Sequence, residues 1–323
     1  TTVDRFEQSC SNLGNNPDIA QEDITSGNAY DNGFRKAYKV TNGDNSATSN
    51  DQLKTNYKVE AQDLTQSGWS HKSASSYITL SFWVKSSVAQ TFSVAIYAED
   101  SNMAYGFQYS ATTSWTKITE SIPGHASLGI NNDNGQGFNI QWYQYMGTDT
   151  TSSGFTNSDW HTYNGSSRAT DMTASWFNTN NATWELTGVQ LEVGSQATPF
   201  EHRRIGDELE SCRRYFQIIK GGSDDYTGLS GYSESTSNAR FPVYFRPPMR
   251  SDPTFSMSGT LRFQGGTNDS ATFTSGLALQ QINETFDGAS LQLTGSSSMG
   301  AADRPGNLQF KASNSSLSFD AEL

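Results

Sequence analysis

The chain has 323 residues, enough for two domains of ordinary size, and is only 34% hydrophobic but 12% aromatic. Disordered chains are poor in aromatics, so this one is expected to fold. Its 21 bases and 33 acids leave a net charge of −12. That charge repels phosphate backbones and acidic lipid headgroups, which argues against nucleic-acid or membrane-surface partners. No run approaches the ~18–20 apolar residues of a membrane span. The polar remainder is Ser, Thr, Asn, Gly and Gln, a balance that short strands with polar turns produce. Cys10 and Cys212 form neither a disulfide framework nor a metal cluster. One bridge between them is conceivable, but the plainer reading is two packed thiols in a protein made in a reducing cytosol.

No signal peptide opens the chain. The first residues, TTVDRFEQ, already read as a strand, an abrupt start that implies a missing upstream segment. Period-two alternation follows. Leu53, Thr55, Tyr57 and Val59 alternate with Lys54, Asn56, Lys58 and Glu60; Ile78, Leu80, Phe82 and Val84 repeat the pattern. So do Phe92, Val94, Ile96 and Ala98, and then Phe138, Ile140 and Trp142. Such alternation marks strands with one face on a core. Asn42-Gly43 is a turn signal. Many such strands predict an all-β fold, with residues 1–200 forming a jelly roll or β-sandwich.

In WELTGVQLEV the inward phase shifts from Trp184 and Leu186 to Val189, Leu191 and Val193, with Gly188 between. A glycine bulge there would restore one buried face. Thr198-Pro199-Phe200-Glu201 fits a capping box with proline at the first helical position; a turn, with the helix starting nearer Arg204, fits equally well. Ile205, Leu209, Cys212 and Phe216 then lie on one helical face. Early acids Asp207 and Glu208 and late bases Arg213 and Arg214 suit the dipole. A short linking helix is thus expected within 201–216, its stripe either packed on the two flanking domains or set at a seam between subunits. A smaller C-terminal β-sandwich follows over 217–323. Pro242, Pro247, Pro248 and Pro253 confine their segment to edge strands and turns, and LRFQ, ATFT, LQLTG, LQFKA and LSFDAEL read as short strands.

Chemistry is sparse. His71, His125, His161 and His202 form no metal-ligand spacing, and no cofactor motif is present. No Gly-x-Ser-x-Gly elbow appears. A glycosidase needs two facing carboxylates, and among 33 acids a sequence does not reveal such a pair; the chain lacks the repeats of a β-helical depolymerase. An enzyme is not the expectation. Asn131-Asn132-Asp133-Asn134-Gly135 is oxygen-rich like a calcium loop, but reads more simply as a hairpin turn. The stronger ligand signal is aromatic. Residues 146–181 are mostly small and polar yet hold Phe155, Trp160, Tyr163, Trp176 and Phe177. Sugars lay CH faces on aromatic rings while amides and carboxylates bond their hydroxyls. Tyr143, Tyr145, Trp160 and Tyr163 are the candidate glycan contacts, the first two because they fall on the strand face opposite Trp142. The competing reading is that these aromatics anchor the loop or pack against a neighbouring subunit, and Trp176 most resembles an anchor.

One segment carries kinship. Gly188-Val189-Gln190-Leu191-Glu192, Thr198-Pro199-Phe200-Glu201-His202, Glu208-Leu209 and Cys212-Arg213-Arg214-Tyr215-Phe216 occur in an order and spacing that resembles tail-fibre-like proteins of bacteriophages, marine ones especially. TVDRF at 2–6 and YITLSFWVKSSVAQTF at 77–92 resemble the N-terminal module of the same proteins, a jelly roll of carbohydrate-binding type. FPVYFRPPMRSDPTF and the terminal Asp320-Ala321-Glu322-Leu323 resemble their C-terminal domain. The family usually carries a Gln-Arg-Gly-containing segment ahead of TVDRF; either this chain is an excerpt or it attaches to its particle differently. The resemblance implies a virion appendage, a tail fibre or receptor-binding protein, assembled in the host cytoplasm. It also implies a homotrimer whose partners are other virion proteins and a host surface glycan. In that setting Pro199, Phe200, His202, Leu209, Cys212 and Tyr215 would be structural residues of the joint. The alternatives are a virion protein without its own ligand, such as a head decoration, and a secreted carbohydrate-binding module.

Overall fold

The computed structural model describes residues 5–265, 270–280, 282–283, 285–294, 299 and 301–322. The chain divides into two compact units, Thr1–His202 and Arg203–Glu322. Nearly all regular structure is β. Thr2, Val3 and Asp4 of the TVDRF motif and the terminal Leu323 lie outside the described residues.

In the first unit the strands are β1 (Phe6–Ser11), β2 (Asp18–Asp23), β3 (Lys36–Thr41), β4 (Gln52–Glu60), β5 (Tyr77–Ser86) and β6 (Gln90–Ala98). They are followed by β7 (Met103–Ala111), β8 (Thr116–Pro123), β9 (Gln136–Met146), β10 (Trp160–Thr162) and β11 (Thr183–Val193). Two antiparallel sheets result: a front sheet ordered β1-β4-β9-β6-β7-β10 and a back sheet ordered β2-β3-β11-β5-β8. The alternating apolar residues read from the sequence meet between them. Leu53, Phe92, Val94, Ile96, Phe138, Ile140 and Trp142 come from the front, and Leu80, Phe82, Val84, Trp184 and Leu186 from the back. This is the expected sandwich.

The Gly188 bulge is present. The β11–β5 register shifts between Thr187 and Gln190, and Gly188 has φ +58. A Cβ there would lie 2.4 Å from Phe34 Cζ, so both the dihedral and the close approach demand glycine. The capping box does not form. Helix α3 begins at Ile205 and runs to Arg213, as in the later of the two starts. (α1, Asn28–Asp31, and α2, Ala61–Gln66, are single turns in the first unit.) The Thr198 hydroxyl donates instead to Glu192 Oε2 at 2.7 Å, and the Thr198 amide donates to Oε1 at 2.9 Å. Gln190 Nε2 also donates to Glu192 Oε1, while Gln190 Oε1 accepts the Glu201 amide at 2.9 Å. Burial opposes the charge of Glu192, but these bonds outweigh it and hold its pKa below the ordinary value. Phe200 packs edge-on to Phe34 at 4.9 Å, and His202 Nε2 lies 3.0 Å from the Asn32 carbonyl. The residues from Gln190 to His202 therefore form a clasp on the first unit.

The second unit contains α3 and ten strands among the described residues. They are β12 (Phe216–Gly221), β13 (Tyr226–Ser233), β14 (Ala239–Tyr244), β15 (Thr254–Ser258) and β16 (Leu261–Gln264), then β17 (Ser270–Phe273), β18 (Leu277–Gln280), β19 (Gly288–Leu293), β20 (Arg304–Phe310) and β21 (Ser315–Asp320). A three-stranded sheet, β12-β21-β15, and a seven-stranded sheet, β17-β16-β20-β13-β14-β19-β18, share a core rich in Phe and Leu. Tyr215 is buried, and its carbonyl accepts the Ala321 amide at 2.8 Å. Pro242 was expected on an edge strand, yet β14 is interior. The β13 ladder ends at Arg240, two residues earlier, so the proline interrupts no pairing on that side. α3 buries none of its residues: Ile205 is 89% and Leu209 50% exposed, and Cys212 is half-buried. Neither cysteine is in a disulfide, and Cys10 lies on the surface.

Candidate functional site

The strand phase that sends Leu53, Thr55 and Trp142 into the core sends the intervening residues to the outer face of the front sheet. Register places them in three rows. The first is Lys58–Asn139–Tyr97–Ala104–His161. The second is Glu7–Asn56–Gln141–Ala95–Gly106. The third is Ser9–Lys54–Tyr143–Ser93–Gln108.

The rows differ in cover. Residues 147–172 fold over the third, where Tyr143, Ala95, Met146 and Ala169 form a small buried cluster. Tyr143 is 1% exposed and donates its hydroxyl to Gln141 Oε1 at 2.8 Å. The first row keeps its side chains half-buried at Lys58, Asn139 and Tyr97. There the Tyr97 and Tyr163 rings stand 4.6 Å apart, tilted at 47°. The Tyr97 hydroxyl donates to Asn102 Oδ1 at 3.2 Å. Arg168 lies 5.9 Å from the Tyr163 ring and donates to Gln52 Oε1 at 3.0 Å.

Beside this pair two buried carbonyl oxygens, Asn56 Oδ1 and Asn139 Oδ1, have no hydrogen-bond partner, and Ser93 Oγ and His161 Nε2 share that condition. A buried acceptor without a partner costs about 1–3 kcal/mol, and native proteins keep few of them. Asn56 and Asn139 are diagonal neighbours across β4 and β9, so the two oxygens belong to one face of the sheet. Charge there is muted. Lys58 lies 3.6 Å from Glu7. Lys54 has its pKa pulled down to about 8, chiefly by burial and then by Arg168, against a smaller opposing pull from Glu7.

The four aromatics read from the sequence fare differently. Tyr163 alone stands at this patch. Tyr143 has the expected strand phase but is roofed by residues 147–172. Tyr145 is 7% exposed and turned coreward, because a bulge between Leu53 and Lys54 resets the phase; it stacks on Phe177 at 4.4 Å. Trp160 is 6% exposed, wedged between Tyr105 and Phe138, with Nε1 donating to the Pro123 carbonyl at 2.7 Å. These three are therefore not free stacking platforms; they anchor the loop, as does Trp176, whose Nε1 donates to the Thr183 carbonyl at 2.9 Å. The residues of this patch that sequence reading passed over are Tyr97, Asn56 and Asn139. Their signal was the polar half of each alternation, which acquires meaning only once register aligns it.

The oxygen-rich turn at 131–135 is engaged internally. Asn131 donates twice to Asp100, and Asn132 Oδ1 accepts from Thr65. Among the described residues no group of three or more His, Cys, Asp or Glu is placed to hold a metal, and no helix is long and apolar enough to cross a membrane.

No protein-family model matches the chain, and no curated protein does. Among solved structures, it is similar to the family 11 carbohydrate-binding module of the cellulosomal cellulase Lic26A-Cel5E of Clostridium thermocellum. That match has 12% identity, a TM-score of 0.31, and coverage of 63% of this chain and 97% of that one. The CBM22-1 xylan-binding domain from Paenibacillus barcinonensis Xyn10C matches at 10% identity and TM-score 0.29, over 61% of this chain and 90% of that one. The enzymatically active domain of bacteriophage CBA120 tailspike protein 4 matches at 7% identity and TM-score 0.33, over 60% of this chain and 20% of that one. Likeness at these scores assigns no function.

Proposed function

We propose that the first unit binds a neutral saccharide on the outer face of its front sheet, without catalysis, and that the chain serves as a phage virion appendage adhering to host surface glycans. The observation that carries the binding is the pair of buried, unpartnered oxygens of Asn56 and Asn139 next to the Tyr97–Tyr163 rings. Sugar hydroxyls supply the missing donors while a pyranose CH face rests on the aromatic edge. The Lys58–Glu7 pair offsets one positive charge with one negative at the patch. The three rows bring a single carboxylate, Glu7, whereas glycoside hydrolysis calls for two across the bond.

The virion role is supported by the order and spacing of the joint elements, whose first half builds the Gln190–His202 clasp. Homotrimerisation, with Ile205 and Leu209 of α3 meeting a second copy, is supported by their exposure. Glycan-array and host-cell binding by the full chain tests the adhesion, with Tyr97→Ala and Asn139→Ala each expected to abolish the signal. Absence of binding to any array glycan and any host envelope fraction would sink it. A second reading, a structural virion protein without a ligand, is favoured by the burial of Tyr143, Tyr145 and Trp160; a place on the capsid lattice in a particle map would select it.

A further inference from the structure

We propose that the second unit holds a separate saccharide site, a cleft beside Tyr244 that takes a carboxylate-bearing sugar. The cleft encloses about 710 Å3 and is lined by Tyr244, Arg246, Arg213, Glu210, Asn283 and Asp287. Its volume falls in the range of about 300–1,000 Å3 typical of small-ligand sites. The proposal uses no residue of the first unit and stands apart from the reading given to that unit.

Strand phase makes the site. Phe241 and Val243 of β14, and Phe245 after it, enter the core, so Tyr244 points outward and is 72% exposed. Next in the chain, Arg246 forms no hydrogen bond or ion pair with the described residues, and neither does the guanidinium of Arg213 in the last turn of α3. Gln217 fixes the two walls. Its Nε2 donates to the Arg213 carbonyl at 3.1 Å and to the Pro247 carbonyl at 3.0 Å.

The third wall is a self-satisfied turn. Asn283 Oδ1 accepts the amides of Asp287 at 3.1 Å and Gly288 at 3.3 Å, while Asp287 Oδ1 accepts from Asn283 Nδ2 and from Thr285 Oγ1. Asn283 first, then Thr285, and more weakly Arg246, hold the Asp287 carboxyl below its ordinary pKa. It stays ionised and keeps its second oxygen as an acceptor.

An exposed ring, two guanidiniums without a hydrogen-bond partner among the described residues, and carboxylate acceptors together match a uronic or sialic acid type of sugar. The ring takes the CH face, a guanidinium fork takes the carboxylate, and Asp287 and Glu210 take hydroxyl donors. Charge partition agrees. The first unit carries ten bases and twenty acids, whereas from Arg203 onward eleven bases face thirteen acids. An anionic ligand is repelled far less here.

The test is calorimetric titration of the full chain with tetragalacturonate, tetramannuronate and 3′-sialyllactose, with cellotetraose as the neutral control. At least one acidic probe should bind. Tyr244→Ala and Arg246→Gln should each weaken it by about tenfold, the loss of one charge-assisted or stacking contact. Arg246→Lys should recover only part of the affinity, because the fork is lost while the charge remains. Tyr97→Ala should leave acidic-sugar binding unchanged while removing neutral-glycan binding, which separates the two sites. Both cleft side chains face outward, so the variants should melt with the parent; Arg213→Gln provides an independent variant on the opposite wall. Failure of all three acidic probes overturns the proposal, as does binding that survives Tyr244→Ala and Arg246→Gln.

Discussion

All seven tryptophans lie in the first unit, while nine of the twelve arginines lie in the second. In the first unit the large aromatics are consumed by the fold: Trp142, Trp176 and Trp184 are fully buried, and Tyr105 and Tyr143 nearly so. What remains for a ligand is recessed and neutral, a patch of amides whose oxygens lack partners, edged by two tyrosines. The second unit fills its core with Phe and Leu and leaves Tyr226, Tyr232 and Tyr244 outside. The contrast teaches that an exposed aromatic and an orphaned buried acceptor are different signatures of a binding surface. The first is visible in composition and phase; the second exists only after strands are in register.

The tryptophans separate the two units most sharply, because their fluorescence reports on the first unit alone. Trp184 is buried and donates Nε1 to the Tyr109 hydroxyl at 3.1 Å. Trp184→Ala should remove about 3–5 kcal/mol from the unfolding of that unit, moving the fluorescence transition. A calorimetric transition of the second unit should stay in place, and displacement of both together would show that the units do not unfold independently.

Gly188→Ala should cost less, about 1–3 kcal/mol, from the positive φ and the collision with Phe34. Denaturant midpoints measure it, and partial rescue by Phe34→Leu would locate the strain in that contact. An unchanged midpoint would contradict the bulge.

Smaller still is the effect at the clasp. Thr198→Val removes the hydroxyl bond to Glu192 and should cost about 1 kcal/mol. Because bonding lowers the Glu192 pKa, the contribution is present at neutral pH and fades on acidification through that lowered value. The variant should therefore lose ground to the parent at pH 7 and converge with it in acid.

Lys54 provides the finest discrimination. Its pKa of about 8 lies below the ordinary ~10.4, so between those values the unfolded chain binds the proton more tightly. The penalty is complete below pH 8 and relaxes as pH rises toward 10, and stability should climb across that window. Lys54→Met should flatten the climb, read from melting temperatures at pH 7, 8, 9 and 10. A parallel pair of curves would mean that the ammonium is well solvated.

Much of the fold was legible because burial writes itself into period two. Phe92, Val94 and Ile96 announced β6, and the even-to-odd switch around Gly188 announced a bulge that the dihedral bears out. Tyr145 was misread because the bulge opposite Leu53 and Lys54 has no glycine to mark it; only the β4–β9 ladder reveals it. The helix start was ambiguous since Thr198 had two acceptable partners, and the Glu192 carboxylate, six residues back, won over the backbone. At the site the sequence exposed Tyr163 but not Asn56 or Asn139, which look like any solvent-facing polar residue until Tyr97 is laid beside them.

The proposed saccharide site requires the orphaned oxygens of Asn56 and Asn139 to accept sugar hydroxyls. The most direct measurement follows side-chain amide resonances by NMR while the best neutral oligosaccharide from the array is titrated into the full chain. Saturable shifts at the Asn56 and Asn139 side chains and at the Tyr97 ring, with the second unit's resonances still, are the result expected. Binding that leaves those three unmoved and shifts residues elsewhere would contradict the account.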